Sequence, residues 1–261
     1  MSQTKPVIAI VPGGFCSPEV YQDVANTLQQ DGFTVIITIL TTTKNLASQD
    51  PKDLEYKDLA NKTLLDDVKE IHAALASELE KGSEVVIFGH SYGSLPALLA
   101  IEGHTFEERK AKSLPGGIKG YVAISGFPYA VRGKNIRGNT EEAPLMPYWT
   151  YAEGVVHIQE DAKPLFFSDL PAEKQDEAWK MVLGSQSRKS FNHLSEFINS
   201  DVTIPKTYIS CEKDEVVPPA FQEMCILGGG FDKVEKLPSG HFPFVSIPEE
   251  TAKLFARIAM E

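Results

Sequence analysis

The sequence predicts an α/β fold in which a mostly parallel sheet is flanked by helices and carries a small inserted cap. Three observations lead there. Short apolar runs rich in valine and isoleucine, such as Val7-Ile8-Ala9-Ile10-Val11 and Val85-Val86-Ile87-Phe88, alternate with longer stretches of helical periodicity. These runs are hydrophobic at nearly every position, as strands covered on both faces are. One of them passes through Gly89-His90-Ser91-Tyr92-Gly93 straight into a helical stretch, giving strand, sharp turn and helix in succession.

Taken in order, residues 7–11 form the first strand, and Pro12-Gly13-Gly14-Phe15-Cys16 is the loop that leaves it. Ser17 as N-cap and Pro18 at the first helical position start a helix carried by Val20, Val24 and Leu28, which stops at Gly32. The spacing predicts a strand over 33–40, a loop over 41–56, and a helix over 63–81 with Leu64, Val68, Ile71, Leu75 and Leu79 on one face. After the Gly-x-Ser-x-Gly turn and its helix come a charged connection over 102–112 and a strand over 121–125. Between 127 and 197 strand signals vanish. Segments rich in proline and aromatics replace them, among them Pro147-Tyr148-Trp149 and Pro164-Leu165-Phe166-Phe167, with a helix over 171–183. This region is expected to be a cap inserted into a single domain of 261 residues. The sheet resumes with strands over 207–211 and 234–237, separated by a helix from Pro218-Pro219 to about 227, and a helix from Pro248 closes the chain.

Composition narrows the partners. A formal charge of −11 and a pI near 5.1 would repel phosphate backbones and anionic lipid, so neither nucleic acid nor a membrane surface is expected as a partner. A small-molecule substrate is expected instead, with a homodimer as the possible assembly. The three cysteines, Cys16, Cys211 and Cys225, are odd in number and lack metal-ligand spacing, which suggests a reducing, cytoplasmic compartment. The first apolar run is too short for a secretory peptide, and none approaches membrane-spanning length.

The chemistry centres on Ser91. A serine hydroxyl is a poor nucleophile at neutral pH, so it needs a histidine within reach and an acid to orient that histidine. His241, beside Gly240 after the last short strand, is the best placed of six histidines. His90 should point away from the reaction, His72 is a lone helical histidine of the kind that packs or faces solvent, His104 sits in the charged connection, and His157 and His193 belong to the cap. Asp214 directly follows the penultimate strand, with Glu212 and Glu215 as competitors. The strand ending at Ser125 carries no carboxylate at its exit. The oxyanion donors expected are the backbone amides of Tyr92 and Gly14. Phe15, Tyr148, Trp149, Phe166 and Phe242 are the candidate substrate contacts. No metal and no organic cofactor is expected.

The loop Val11-Pro12-Gly13-Gly14, the turn Gly89-His90-Ser91-Tyr92-Gly93, the segment from Cys211 through Asp214 to Pro219 and the closing Ser239-Gly240-His241-Phe242-Pro243-Phe244 together resemble the α/β-hydrolase superfamily over nearly the whole chain. More narrowly, they and Phe166-Phe167-Ser168-Asp169-Leu170-Pro171 resemble small fungal and bacterial hydrolases related to plant methylesterases and hydroxynitrile lyases. The resemblance implies an α/β-hydrolase fold with Ser91 as nucleophile, Asp214 as orienting acid and His241 as general base. The activity it implies is serine hydrolysis of a carboxylic ester, lactone or thioester of a small hydrophobic molecule. The same triad could serve carbon–carbon cleavage or release of a polyketide-like product, and a non-catalytic receptor on this fold is the further alternative. Three departures matter. Pro12 stands where many relatives have histidine, and Ser94 where many have glycine. Phe242 replaces the lysine that hydroxynitrile lyases of this type carry after the histidine, which argues against cyanohydrin cleavage. A serine nucleophile also disfavours epoxide hydrolase and haloalkane dehalogenase chemistry, which needs a carboxylate there.

Overall fold

The computed structural model describes residues 5–261. Six parallel strands form its main sheet: β1 (Val7–Val11), β2 (Val35–Ile37), β4 (Glu84–His90), β5 (Gly117–Ile124), β9 (Lys206–Cys211) and β10 (Lys233–Leu237), in the order β10-β9-β5-β4-β1-β2. The alternation of side chains along each strand divides the core into two layers. Ile8, Ile10, Val86 and Phe88 face one side, with α1 (Gln22–Gln30) and α10 (Pro248–Ala259) packed on them through Val24, Leu28, Phe255 and Ile258. Val7, Ala9, Val11, Val85 and Ile87 face the other, against α3 (Leu64–Glu80), α4 (Ser94–Leu99) and α8 (Pro219–Gly229). Phe88 stacks on Phe255 at 4.2 Å, one of several aromatic pairs that join sheet to helix.

The strand order places the site. From β1 the chain runs outward to β2, then crosses back to β4 on the other side of β1 and continues outward through β5, β9 and β10. The loops leaving β1 and β4 therefore diverge and open a crevice at the carboxyl edge, where open α/β sheets bind ligands. Val11 and Gly89 pair in register, so the two loops start side by side.

A second sheet, antiparallel and four-stranded, covers this edge. It contains β3 (Thr43–Lys44), β6 (Trp149–Ala152), β7 (Val155–Ile158) and β8 (Ser185–Ser187), in the order β3-β8-β7-β6. α2 (Leu54–Asn61) packs Tyr56 and Leu59 on Val155 of its outer face, while Val156 and Ile158 of its inner face join the main core. α5 (Phe106–Ala111), α6 (Lys163–Phe166), α7 (Ala172–Trp179) and α9 (Pro243–Ser246) complete the α-helices among the described residues.

This sheet corrects two expectations. Strand signals do not vanish over 127–197: three strands lie there, two of only four residues and one, Ser185-Gln186-Ser187, without an apolar residue. The segment 41–56 is not all loop, since it supplies β3 and the start of α2. Length also shifts at several ends. The strand expected over 33–40 is confined to Val35–Ile37 at the sheet edge, and the helix expected over 171–183 ends at Trp179. The helix after Ser17 begins as a 3-10 turn, Pro18–Tyr21. Among the described residues, no helix is long and apolar enough to cross a membrane.

Candidate active site

Ser91 occupies the sharp turn between β4 and α4, with φ +50°, a conformation that L-residues rarely adopt. Steric room explains the flanking glycines. A Cβ at Gly93 would stand 2.2 Å from the carbonyl oxygen of Pro12, and one at Gly89 would stand 2.5 Å from Cα of Ser94. The turn thus needs both glycines to let β4, α4 and the β1 loop cross. Ser94, the departure from the common glycine, uses its hydroxyl: Oγ donates to the Ser91 carbonyl at 2.7 Å and accepts from the Phe127 amide at 2.8 Å. That bond braces the turn from within.

Asp214 and His241 meet behind the turn. His241 Nδ1 lies 2.6 Å from Asp214 Oδ2, and both residues are only 2% exposed. The other carboxylate oxygen, Oδ1, accepts the amides of Val216 and Val217 at 2.8 Å each. Its orientation is therefore fixed from both ends. A carboxylate partner holds the proton on Nδ1 and leaves Nε2 as the basic nitrogen. Glu212 and Glu215, the competing acids, are exposed at the surface. Two contacts that the sequence did not reveal pin these loops from the inserted segment: the Gly240 amide donates to Asp169 Oδ2 at 2.7 Å, and Ser168 Oγ donates to the Lys213 carbonyl at 3.1 Å.

The first loop presents one free amide. Gly13 N–H donates to Tyr21 Oη, Phe15 N–H to Gln186 Oε1 and Cys16 N–H to the Gly13 carbonyl, whereas Gly14 N–H has no hydrogen-bond partner among the described residues. A Cβ at Gly14 would lie 3.5 Å from Cβ of Tyr92, so the two residues expected to hold an oxyanion are neighbours. The Tyr92 side chain points elsewhere. Its hydroxyl donates to Asp67 Oδ2 at 2.7 Å, where the buried carboxylate also gathers both amides and both hydroxyls of Thr41 and Thr42.

Known proteins place the chain in a family. The model of the alpha/beta hydrolase family matches residues 8–254. The chain belongs to that family. Among its relatives, the probable hydrolase R7 of a Phoma species is 28% identical, covering 98% of this chain and 99% of its own. The alpha/beta hydrolase nvfD of Aspergillus novofumigatus is 27% identical over 98% of both chains. The crystal structure of polyneuridine aldehyde esterase superposes with a TM-score of 0.76 at 19% identity, covering 98% of this chain and 99% of that one. This protein is therefore an enzyme of the α/β-hydrolase fold.

In this hydrolase aromatic rings cluster on the loops that carry Gly14 and His241. Phe15, itself at φ +59°, lies 5.7 Å from Trp149 and 6.2 Å from Phe191, and Phe191 meets Tyr92 edge-on at 5.5 Å. Phe166 lies 6.1 Å from the His241 ring and 6.2 Å from Tyr148. Burial, and then the charge of Asp214, push the Tyr148 hydroxyl up to about 12, so it stays protonated. Phe242 is 1% exposed and wedged among His90, Phe166 and Phe167, which makes it packing beneath the site. The remaining histidines lie apart: His72 stacks on His104 at 3.9 Å, His157 bonds Ser185, and His193 packs on Tyr129.

His90 turns away from the reaction, as expected, but into a buried hydrogen-bonded bar that the motif did not reveal. Its Nε2 faces the His241 carbonyl at 2.9 Å, and its Nδ1 faces Tyr21 Oη at 2.8 Å. A carbonyl only accepts, so Nε2 carries the proton, and Nδ1 accepts from the Tyr21 hydroxyl. Tyr21 in turn accepts the Gly13 amide at 2.8 Å. Burial, and next the proximity of His241, hold the His90 imidazole well below its ordinary range, and burial raises the Tyr21 hydroxyl well above its own. Both therefore stay neutral, and the bar ties the Gly14 loop to the His241 loop through the turn of Ser91. Tyr21→Phe leaves a buried N–H and a buried ring nitrogen unpaired, a loss of about 1–3 kcal/mol. Urea denaturation should show that loss. Turnover should fall between about 10- and 100-fold through misplacement of the two loops.

Proposed function

We propose that this hydrolase is a serine esterase that cleaves a carboxylic ester, lactone or thioester of a small hydrophobic molecule through an acyl-enzyme. The observation that carries the reading is the Asp214–His241 pair at 2.6 Å, held against the turn that presents Ser91. His241 Nε2 takes the hydroxyl proton as Ser91 Oγ attacks the carbonyl carbon. The carbonyl oxygen becomes an oxyanion held by the amides of Gly14 and Tyr92, each donor worth about 3 kcal/mol in the transition state. As the tetrahedral intermediate collapses, the carbon–oxygen or carbon–sulfur bond breaks and His241 passes its proton to the leaving group. Water then attacks the acyl-enzyme, giving its proton to His241, which returns it to Ser91 Oγ as the bond to the acyl carbon breaks and the acid is released. Asp214 fixes the His241 tautomer and stabilises the imidazolium at each step. No metal or organic cofactor enters this sequence. The segment 127–197 acts as the cap that encloses the substrate.

A panel of 4-nitrophenyl esters, aryl thioesters and aromatic lactones tests the reading. Hydrolysis of at least one class is expected, with kcat/KM higher for aryl-bearing than for short aliphatic acyl groups. Failure to hydrolyse any member, while a β-diketone of similar size is cleaved, would replace acyl transfer from an ester by carbon–carbon cleavage at the same triad.

A further inference from the structure

The inner face of the small sheet is the roof of the site, and strand register shows which side chains it presents. Trp149 pairs with Ile158, and Val156 pairs with Gln186, so Trp149, Ile158, Val156 and Gln186 share one face. Gln186 shows where that face looks: its Oε1 accepts the Phe15 amide at 3.1 Å, and a Cβ on Gly14 would lie 2.8 Å from the same oxygen. Trp149 therefore hangs over the loop that carries the free Gly14 amide. Its ring sits 5.7 Å from Phe15, 4.8 Å from Phe191 and 6.2 Å from Tyr148.

One atom of this roof is unsatisfied. Trp149 Nε1 is buried and has no hydrogen-bond partner among the described residues, although a buried indole N–H normally finds one. Val156 and Ile158 of the shared face are aliphatic, the neighbouring rings Phe15 and Phe191 carry no oxygen, Tyr148 meets the indole edge-on at 6.2 Å without a hydrogen bond to it, and Gln186 Oε1 is committed to Phe15. The general base returns its proton to the leaving group, so the leaving group departs on the His241 side and the rings beside the Gly14 amide are left to the acyl group.

We propose that Trp149 Nε1–H is a specificity-determining donor that binds an oxygen of the substrate's acyl group, distinct from the scissile carbonyl. This rests on the esterase reading above and narrows its substrate class. The acyl group is flat enough to lie among the rings of Phe15, Trp149 and Phe191, and it carries a keto, ether or hydroxyl oxygen that the reaction leaves intact.

The test compares 4-nitrophenyl ortho-, meta- and para-methoxybenzoates with the matching ethylbenzoates, in which a methylene replaces the oxygen. The ratio of kcat/KM within each pair is measured for the native enzyme and for Trp149→Phe, which cancels the intrinsic reactivity of the esters. At one or more positions the ratio should fall about 3- to 10-fold in the variant, the worth of one neutral hydrogen bond. An unchanged ratio at all three positions overturns the proposal. Because Trp149→Phe could disturb the roof, a second arm keeps Trp149 in place. The chain has two tryptophans, so tryptophan-labelled Ser91→Ala protein gives two indole N–H signals, assigned with Trp179→Phe. The methoxybenzoate ester preferred by the native enzyme should move the Trp149 signal downfield, and its ethyl counterpart should not. A Trp149 signal that responds equally to both overturns the proposal. If native enzyme and Ser91→Ala hydrolyse the esters at equal rates, the esterase reading fails, while the indole signal still reports separately on the donor.

Discussion

Ser91→Ala lowers kcat for the best ester of the panel by about 10⁴- to 10⁶-fold, while the protein keeps its fold. The size of the loss follows from what remains. Asp214, His241 and the Gly14 and Tyr92 amides stay in place and can polarise a carbonyl, but the covalent step has no nucleophile. The fold survives because Oγ of Ser91 makes no hydrogen bond to any described residue, whereas the braces of the turn come from its backbone and from Ser94. Thermal unfolding within a few degrees of the native enzyme should accompany the loss. A variant that retains more than a tenth of native turnover would show that another group attacks the substrate.

Asp214→Asn lowers kcat by about 10⁴-fold, and the structure supplies the reason. Oδ1 of Asp214 accepts two amides, from Val216 and Val217, so an asparagine in its place must turn its oxygen toward them. Its NH₂ group then faces His241 Nδ1. The hydrogen bond is kept but reversed, Nδ1 becomes the acceptor, and the proton moves to Nε2. With that nitrogen occupied, His241 cannot take the proton of Ser91. Little stability is lost, since each group retains a partner, so steady-state kinetics should show a collapsed kcat beside an unfolding midpoint close to native. Loss of activity in proportion to loss of folded protein would make Asp214 a structural residue instead.

Much of this site is legible in the sequence because its parts are local. The turn around Ser91 needs glycines at two fixed positions, and the apolar runs before it and the helical spacing after it announce the elements it joins. Asp214 and His241 follow strands directly, so their place at the carboxyl edge comes from chain order alone. What the sequence does not reveal is made by long-range contacts between unremarkable residues. Tyr21, Gln186 and Asp169 each complete a bond to a loop of the candidate site from 8 to 171 residues away. The strand Ser185-Gln186-Ser187 is wholly polar and still buried, because its side chains bond Lys62, Ser190, His157 and Phe15 instead of packing as a hydrophobic face. Periodicity has nothing to detect there. The four-residue strands beside it are too short to stand out among prolines and aromatics, so the second sheet leaves no signal in the sequence.

Whether Ser91 is the nucleophile is decided by active-site-directed phosphonylation. Incubated with a fluorophosphonate, the native enzyme should gain one phosphonyl group by intact mass, on the peptide containing Ser91, with activity lost in step with labelling. Labelling on another residue, or complete labelling of Ser91 with turnover undiminished, would contradict that role.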